Sequence, residues 1–106
     1  MAYKNEYFES RDTEGTTTHF NGTVDTSAVS LPSSADTIIS EFTLTNTNVD
    51  SDTKLLQVSL DSGSSWFTIY QGISLTWSPK GNVKQIQIRG SESSVAYQCL
   101  MNREVD

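Results

Sequence analysis

The chain has 106 residues, of which 13 are acidic and 7 are basic, so its formal net charge is −6, with one histidine and one cysteine. This length suits one domain and is too short for two. The acidic balance argues against a protein that coats nucleic acid, because phosphate binding needs clustered Lys and Arg, and one cysteine excludes an internal disulfide.

No run of the sequence approaches the roughly 20 apolar residues of a membrane span, and the first ten residues lack the pattern of a secretory signal. Neither membrane insertion nor secretion is therefore expected. Apolar residues make up only 35% of the chain, while 16 Ser and 13 Thr are interleaved with Val, Ile and aromatic residues. This alternation is typical of strands with one solvent-facing side, so the fold class predicted is all-β.

Residues 1–23 are polar and show no sustained period, yet they carry large rings. Two interpretations stay open: a frayed terminus or first edge strand, or an arm that lies across a neighbouring subunit. We predict an extended N-terminal arm over 1–23 and a β-sandwich domain over 24–106. The predicted partner-binding rings of the arm are Tyr3, Tyr7, Phe8 and Phe20.

From residue 24 onward the hydrophobic period is two, and turn residues separate short runs. The strands predicted are 24–31, 37–46, 54–60, 65–70, 73–77, 83–89 and 95–101. In the second of them Ile38, Phe42 and Leu44 should share one face, and residues 46–52 should form a polar loop. Asp61 should start a hairpin turn by capping backbone amides, with Gly63 in the left-handed position. About seven such strands predict a single antiparallel β-sandwich, of jelly-roll or Ig-like topology.

Candidates for catalysis and metal binding are few. Any nucleophile–base pair must use His19, which lies in the irregular arm, while Cys99 falls inside a predicted strand and is expected in the core. The loop 50–54 starts like a calcium loop but has Lys54 where an oxygen ligand is needed. We therefore expect a protein that is not an enzyme and has no catalytic residue, cofactor or metal.

The most informative side chains are three aromatic residues in two consecutive predicted strands: Trp66, Tyr70 and Trp77. If exposed, the rings could stack on a sugar. If buried, each would contribute on the order of 4–6 kcal/mol at 25 cal/mol per Å². A chain this poor in apolar residues favours burial of both indoles in the core or in a subunit interface, and the sugar platform is the alternative.

One stretch carries a resemblance. Small virion proteins of tailed bacteriophages are similar to the run LQVSLDSGSSWFTIYQGISL at residues 56–75, in which an Asp-x-Gly turn follows one strand and Trp opens the next. The likeness continues through PKG at 79–81, QIQIRG at 85–90, VAY at 95–97 and NRE at 102–104. It covers residues 54–104 and not the arm.

The resemblance implies a non-enzymatic virion protein, made in the host cytoplasm, that decorates or cements the capsid, or belongs to the tail or head–tail junction. Its implied partner is the major capsid protein or another virion protein. The acidic charge would keep free copies soluble, and assembly as a homo-oligomer such as a trimer is expected. A carbohydrate- or host-receptor-binding module is the alternative function.

Overall fold

A computed structural model describes residues 15–34 and 37–105 of the chain. Within these ranges every regular element is a strand, which confirms the all-β prediction, and no helix is long and apolar enough to cross a membrane. The eight strands are β1 (Gly15–Val24), β2 (Val29–Leu31), β3 (Thr37–Asn46), β4 (Leu56–Ser59), β5 (Phe67–Ile69), β6 (Ser74–Trp77), β7 (Ile86–Gly90) and β8 (Val95–Val105).

The strands form two four-stranded sheets with the orders β1-β8-β3-β6 and β2-β7-β4-β5. All pairs are antiparallel, and β1 pairs with β8, β2 with β7, β3 with β6 and β4 with β5. The chain is therefore one long antiparallel hairpin, turning between β4 and β5 and wrapped over itself into two layers. This is the jelly-roll arrangement, one of the two topologies that the sequence left open.

The first strand occupies part of the predicted arm. β1 pairs with β8 along its whole length, from Gly15 opposite Glu104 to Val24 opposite Val95. The described part of the sandwich therefore begins at Gly15 and not at residue 24, and this strand accounts for eight strands instead of seven. Residues 1–14 lie outside the described residues, so an arm over that stretch stays a prediction.

The core lies between the sheets and is made of side chains from the inward faces of the strands other than β6, whose Leu75 is partly buried and packs against it. Burying such residues supplies about 1.5–3 kcal/mol each. The buried apolar residues are Val24, Leu31, Ile39, Phe42, Leu44, Leu56, Val58, Ile69, Ile86, Ile88, Val95, Tyr97, Cys99 and Met101. Burial raises the pKa of the Cys99 thiol to about 12, as expected of a core thiol.

The face predicted for β3 is wrong at its first residue. Ile39, not Ile38, is buried with Phe42 and Leu44, because the register against β8 shifts between Ile39 and Glu41. Such an extra residue in one strand reverses the alternation on one side of the shift. A strict period of two cannot reveal it.

The end of β3 is tied down by a buried amide. Asn46 is fully buried, and its Nδ2 donates to the carbonyl oxygens of Lys54 and Ile69, both at 2.9 Å. Its Oδ1 accepts from the backbone N–H and from Nδ2 of Asn48, at 3.0 and 2.7 Å. Asn48 in turn exchanges hydrogen bonds with the backbone of Ala96 on β8. The predicted polar loop thus begins with two buried residues that join three strands.

Candidate functional site

The four rings predicted to anchor a partner fall in two places. Tyr3, Tyr7 and Phe8 lie outside the described residues, so their role stays a prediction. Phe20 lies on β1 opposite Cys99, is partly buried and packs against the core. Because it faces inward, its ring stabilises this chain's own sandwich, and a contact of Phe20 with a partner stays a prediction.

A groove opens between the edge strands β5 and β6, and we call it the β5/β6 groove. Its volume is about 470 Å³, within the roughly 300–1,000 Å³ typical of ligand pockets. Most of its lining is apolar, with one carboxylate and one hydroxyl at the rim. The lining residues are Val58, Leu60, Asp61, Ser65, Trp66, Phe67, Leu75 and Trp77.

At the groove, the edge of the hydrophobic core is exposed to solvent. Phe67 pairs with Val58, and Trp77 pairs with Phe42, so both rings project from the inward faces of their sheets. Their partners are buried, whereas Phe67 is 59% exposed and Trp77 is 52% exposed. The difference arises because β5 and β6 are the last strands of their sheets. Within the described part of the chain, no further strand covers this side.

Trp66 lies at one wall of the groove in a fixed orientation. The guanidinium carbon of Arg89 stands 4.0 Å from the centroid of the Trp66 ring. Arg89 Nε donates to Gln57 Oε1 at 2.7 Å, and Gln57 Nε2 donates to Thr68 Oγ1 at 3.2 Å. A cation over the ring face is attracted by the ring quadrupole, so Arg89 occupies a surface that a ligand would otherwise stack on.

The structure brings together two of the three rings proposed for sugar binding. Trp66 and Trp77 share the groove, whereas Tyr70 is 61% exposed and is not among its lining residues. Trp77 is 52% exposed in the isolated chain, so its indole is not part of this chain's core, and its burial in a subunit interface stays a prediction. Sequence reasoning missed Phe67, although its alternation with buried Ile69 indicates an inward-facing position.

The rim of the groove is shaped by the turn between β4 and β5. The backbone N–H of Ser64 donates to the Asp61 carbonyl oxygen at 3.3 Å, and both central residues, Ser62 and Gly63, have positive φ. That combination is typical of a type I′ turn, and the left-handed position predicted for Gly63 is confirmed. The predicted capping by Asp61 is confirmed, because its Oδ1 accepts from the Ser65 N–H at 2.9 Å.

We expect Asp61 to titrate at unusually low pH. Hydrogen bonds from the Ser65 hydroxyl, the Ser59 hydroxyl and the Ser65 N–H lower the pKa of this carboxyl from 3.8 to about 2. Because the folded pKa is depressed, the stabilisation is present above pH 3.8 and is lost as the pH falls through about 2.

An NMR titration of the Asp61 carboxyl carbon should give a midpoint near 2. The variant Ser65→Ala removes the largest of these hydrogen bonds, so its midpoint should move up towards 3.8. A midpoint that this substitution leaves unchanged would contradict the assignment.

The histidine and the cysteine do not form a pair. His19 is opposite Leu100 on β1, and its side chain is exposed on the outer face of its sheet. Cys99 faces the core on the other side of the same sheet, and its expected burial is confirmed at 2% exposure. The described residues include no group of three or more His, Cys, Asp or Glu that could hold a metal ion.

No family model matches the chain, and no curated protein matches it. Among solved structures, a protein of Bacillus endospore appendages, a family of disulfide-linked pili, is similar with a TM-score of 0.56 and 16% identity over 86% of each chain. A chain of the cyanophage Pam1 capsid asymmetric unit gives a TM-score of 0.36 and 14% identity, over 88% of this chain and 83% of that one. The first likeness shows a shared fold, and the second adds nothing to it.

Proposed function

We propose that the protein is a non-enzymatic structural subunit of a bacteriophage virion, most simply a capsid decoration or cement protein that binds the major capsid protein. The resemblance of residues 54–104 to small virion proteins supports this proposal. The fold is compatible with it but not specific, because jelly rolls serve both viral capsids and lectins. The choice between these roles therefore depends on the groove.

The observation that carries the proposal is the half-exposure of Phe67 and Trp77 in the β5/β6 groove. Aromatic rings that project from a core margin lose little conformational entropy when a partner covers them, and such rings dominate binding energy at protein interfaces. Leu60, also exposed, extends the same surface. A second polypeptide would complete the core at this margin.

The chemistry of the chain's two most reactive side chains supports a role without catalysis. The pKa of Cys99 is raised to about 12 by burial, so its thiol stays protonated and unreactive at neutral pH. His19 is exposed on the opposite face of that sheet and cannot reach it. Because Cys99 is also buried, it is unsuited to linking subunits by disulfides as in the Bacillus appendages.

The alternative function, sugar or host-receptor binding, is favoured by the exposed indole of Trp77. Three observations weigh against it. Arg89 covers one face of Trp66, Tyr70 lies away from the groove, and the Asp61 carboxylate already accepts hydrogen bonds from Ser59 and Ser65. Few polar groups remain in the groove to orient hydroxyls of a sugar.

The substitution Trp77→Glu should strongly reduce incorporation into particles while the sandwich stays folded. Removing a central aromatic anchor typically costs about 2 kcal/mol or more, so affinity should fall roughly thirtyfold. Quantitative mass spectrometry of purified virions that carry the variant gene gives the copy number per particle. The matched control is Leu100→Glu, since Leu100 is also exposed but lies on the outer face of its sheet.

Absence of the wild-type protein from purified virions would contradict the proposal. So would equal occupancy of wild-type and Trp77→Glu protein. A glycan array that gives hits for the wild type, and none for folded Trp77→Glu, would instead establish the sugar-binding alternative.

A further inference from the structure

The apolar surface of the β5/β6 groove is too small to form a stable interface with the face of a globular partner. Its two most exposed rings are Phe67 at 59% and Trp77 at 52%. With about 150–250 Å² per aromatic side chain, and Leu60 added, the groove offers on the order of 300 Å². A stable interface between globular partners buries about 800 Å² per partner. The groove therefore suits a short extended segment that inserts one or two rings.

The strands beside the groove can receive such a segment. β5 has three residues and β6 has four, whereas the neighbouring β3 has ten. Both are edge strands, so one side of each has no sheet partner within the described residues. An extended peptide can add to such an edge through main-chain hydrogen bonds while its alternate side chains enter the pocket.

The chain itself contains a segment of the right kind. Residues 1–14 precede the described structure and include three of the chain's aromatic residues, Tyr3, Tyr7 and Phe8. They join the fold at Gly15, the first residue of β1. Fully extended, fourteen residues span about 46 Å.

The point of attachment lies on the side away from the groove. In the sheet order β1-β8-β3-β6, the strand that follows this segment is at one edge and the groove is at the other. Three strand spacings, about 14 Å, separate these edges. A molecule with a donor segment at one edge and an acceptor groove at the other can join copies head to tail, and closes into a ring where the rotation allows.

We infer that the β5/β6 groove binds the N-terminal segment, residues 1–14, of a second copy of this chain. Rings among Tyr3, Tyr7 and Phe8 fill the space between Phe67 and Trp77. The inference deepens the proposed function, on which it rests for the view that a polypeptide covers the groove. In the expected homo-oligomer, this contact is a heterologous interface, because it joins the segment of one copy to the groove of the next.

Complementation between two full-length variants tests this inference. A donor variant, Trp77→Glu, keeps the segment and blocks the groove. An acceptor variant, Tyr3→Ser/Tyr7→Ser/Phe8→Ser, keeps the groove and loses the rings. By sedimentation velocity, the wild type should self-associate, and each variant alone should be monomeric, with affinity lowered roughly thirtyfold or more. An equimolar mixture should form a 1:1 dimer.

Two controls make the result specific. Leu100→Glu should associate like the wild type, because that side chain lies outside the groove. Phe67→Ala replaces Trp77→Glu as the donor variant if circular dichroism shows that the latter has lost its β signal. The mixture should then form the same dimer.

Three outcomes would overturn the inference. Self-association of the acceptor variant alone would indicate a contact that does not use the segment. A monomeric wild type whose Trp fluorescence responds to the segment substitutions would indicate that the segment fills its own groove. A mixture that stays monomeric would indicate a partner other than this chain.

The two proposals fail separately. If the mixture stays monomeric but Trp77→Glu protein is lost from virions, the groove binds another virion protein and only the inference is wrong. If the mixture dimerises but virions contain no copy of the protein, the inference holds and the proposed function is wrong.

Discussion

Replacing Asn46 with leucine is expected to lower the free energy of unfolding by about 4 kcal/mol. The substitution preserves size but removes every side-chain hydrogen bond that Asn46 makes. The carbonyl oxygens of Lys54 and Ile69 and the N–H of Asn48 then lose their partners. Each buried polar group left unsatisfied costs about 1–3 kcal/mol.

The effect should reach beyond the site of substitution. The Asn46 amide joins the end of β3 to the loop before β4 and to the last residue of β5, while its backbone exchanges hydrogen bonds with Gly72 and Ile73 before β6. The two strands that flank the groove are thus anchored to the same residue. Hydrogen exchange should show faster opening of β5 and β6 in Asn46→Leu than in the wild type.

Urea denaturation followed by circular dichroism measures the change, and Thr45→Val is the matched control. Thr45 is the preceding residue of β3, and its hydroxyl bonds Ser74 at 2.7 Å on the exposed face. Loss of that exposed hydrogen bond should cost less than about 1 kcal/mol. Equal destabilisation by the two substitutions would contradict the role given to the buried amide.

The burial of Asn46 and Asn48 could not be predicted from the sequence. A run of Asn, Thr and Asp after a strand is typical of a solvated loop, and composition favours that interpretation. The two amides are nevertheless buried, because backbone groups from three strands converge there and need partners. Only the tertiary structure brings Lys54, Ile69 and Ala96 together, so no local pattern could predict this network.

The features of the fold that depend on neighbouring residues in the sequence were predictable. β3 begins and ends at the residues predicted, because it is long and alternates clearly. The turn at Asp61 was located by its Asp and Gly, although the type I′ geometry depends on strand twist. The bulge beyond Ile39 was not predictable, since it reflects pairing with β8.

The sequence predicted some of the residues of the candidate site but not their exposure. Trp66 and Trp77 were singled out by residue type, and both line the groove. The sequence left open whether Trp77 lies in the core or in a subunit interface, because sequence cannot show that β6 is an edge strand and that no described element covers its inward face. Strand order decides whether an inward-facing ring is core or surface, and strand order is a property of the whole chain.

The substitutions Phe42→Ala and Phe67→Ala should separate the core from the contact surface. Phe42 is 1% exposed and lies on β3 between Met101 of β8 and Trp77 of β6. Its truncation leaves a cavity and should destabilise the fold by about 3–5 kcal/mol. Domains of this size are stabilised by about 5–15 kcal/mol, so a large share of the stability would be lost.

Phe67→Ala removes the same atoms from a ring that is 59% exposed. Little cavity can form at an open groove, so we expect a loss below about 1 kcal/mol by urea denaturation. The same variant should be as defective in self-association and particle binding as Trp77→Glu. Equal destabilisation of the isolated chain by Phe67→Ala and Phe42→Ala would show that Phe67 is part of the closed core. The groove would then not be a surface that binds another polypeptide.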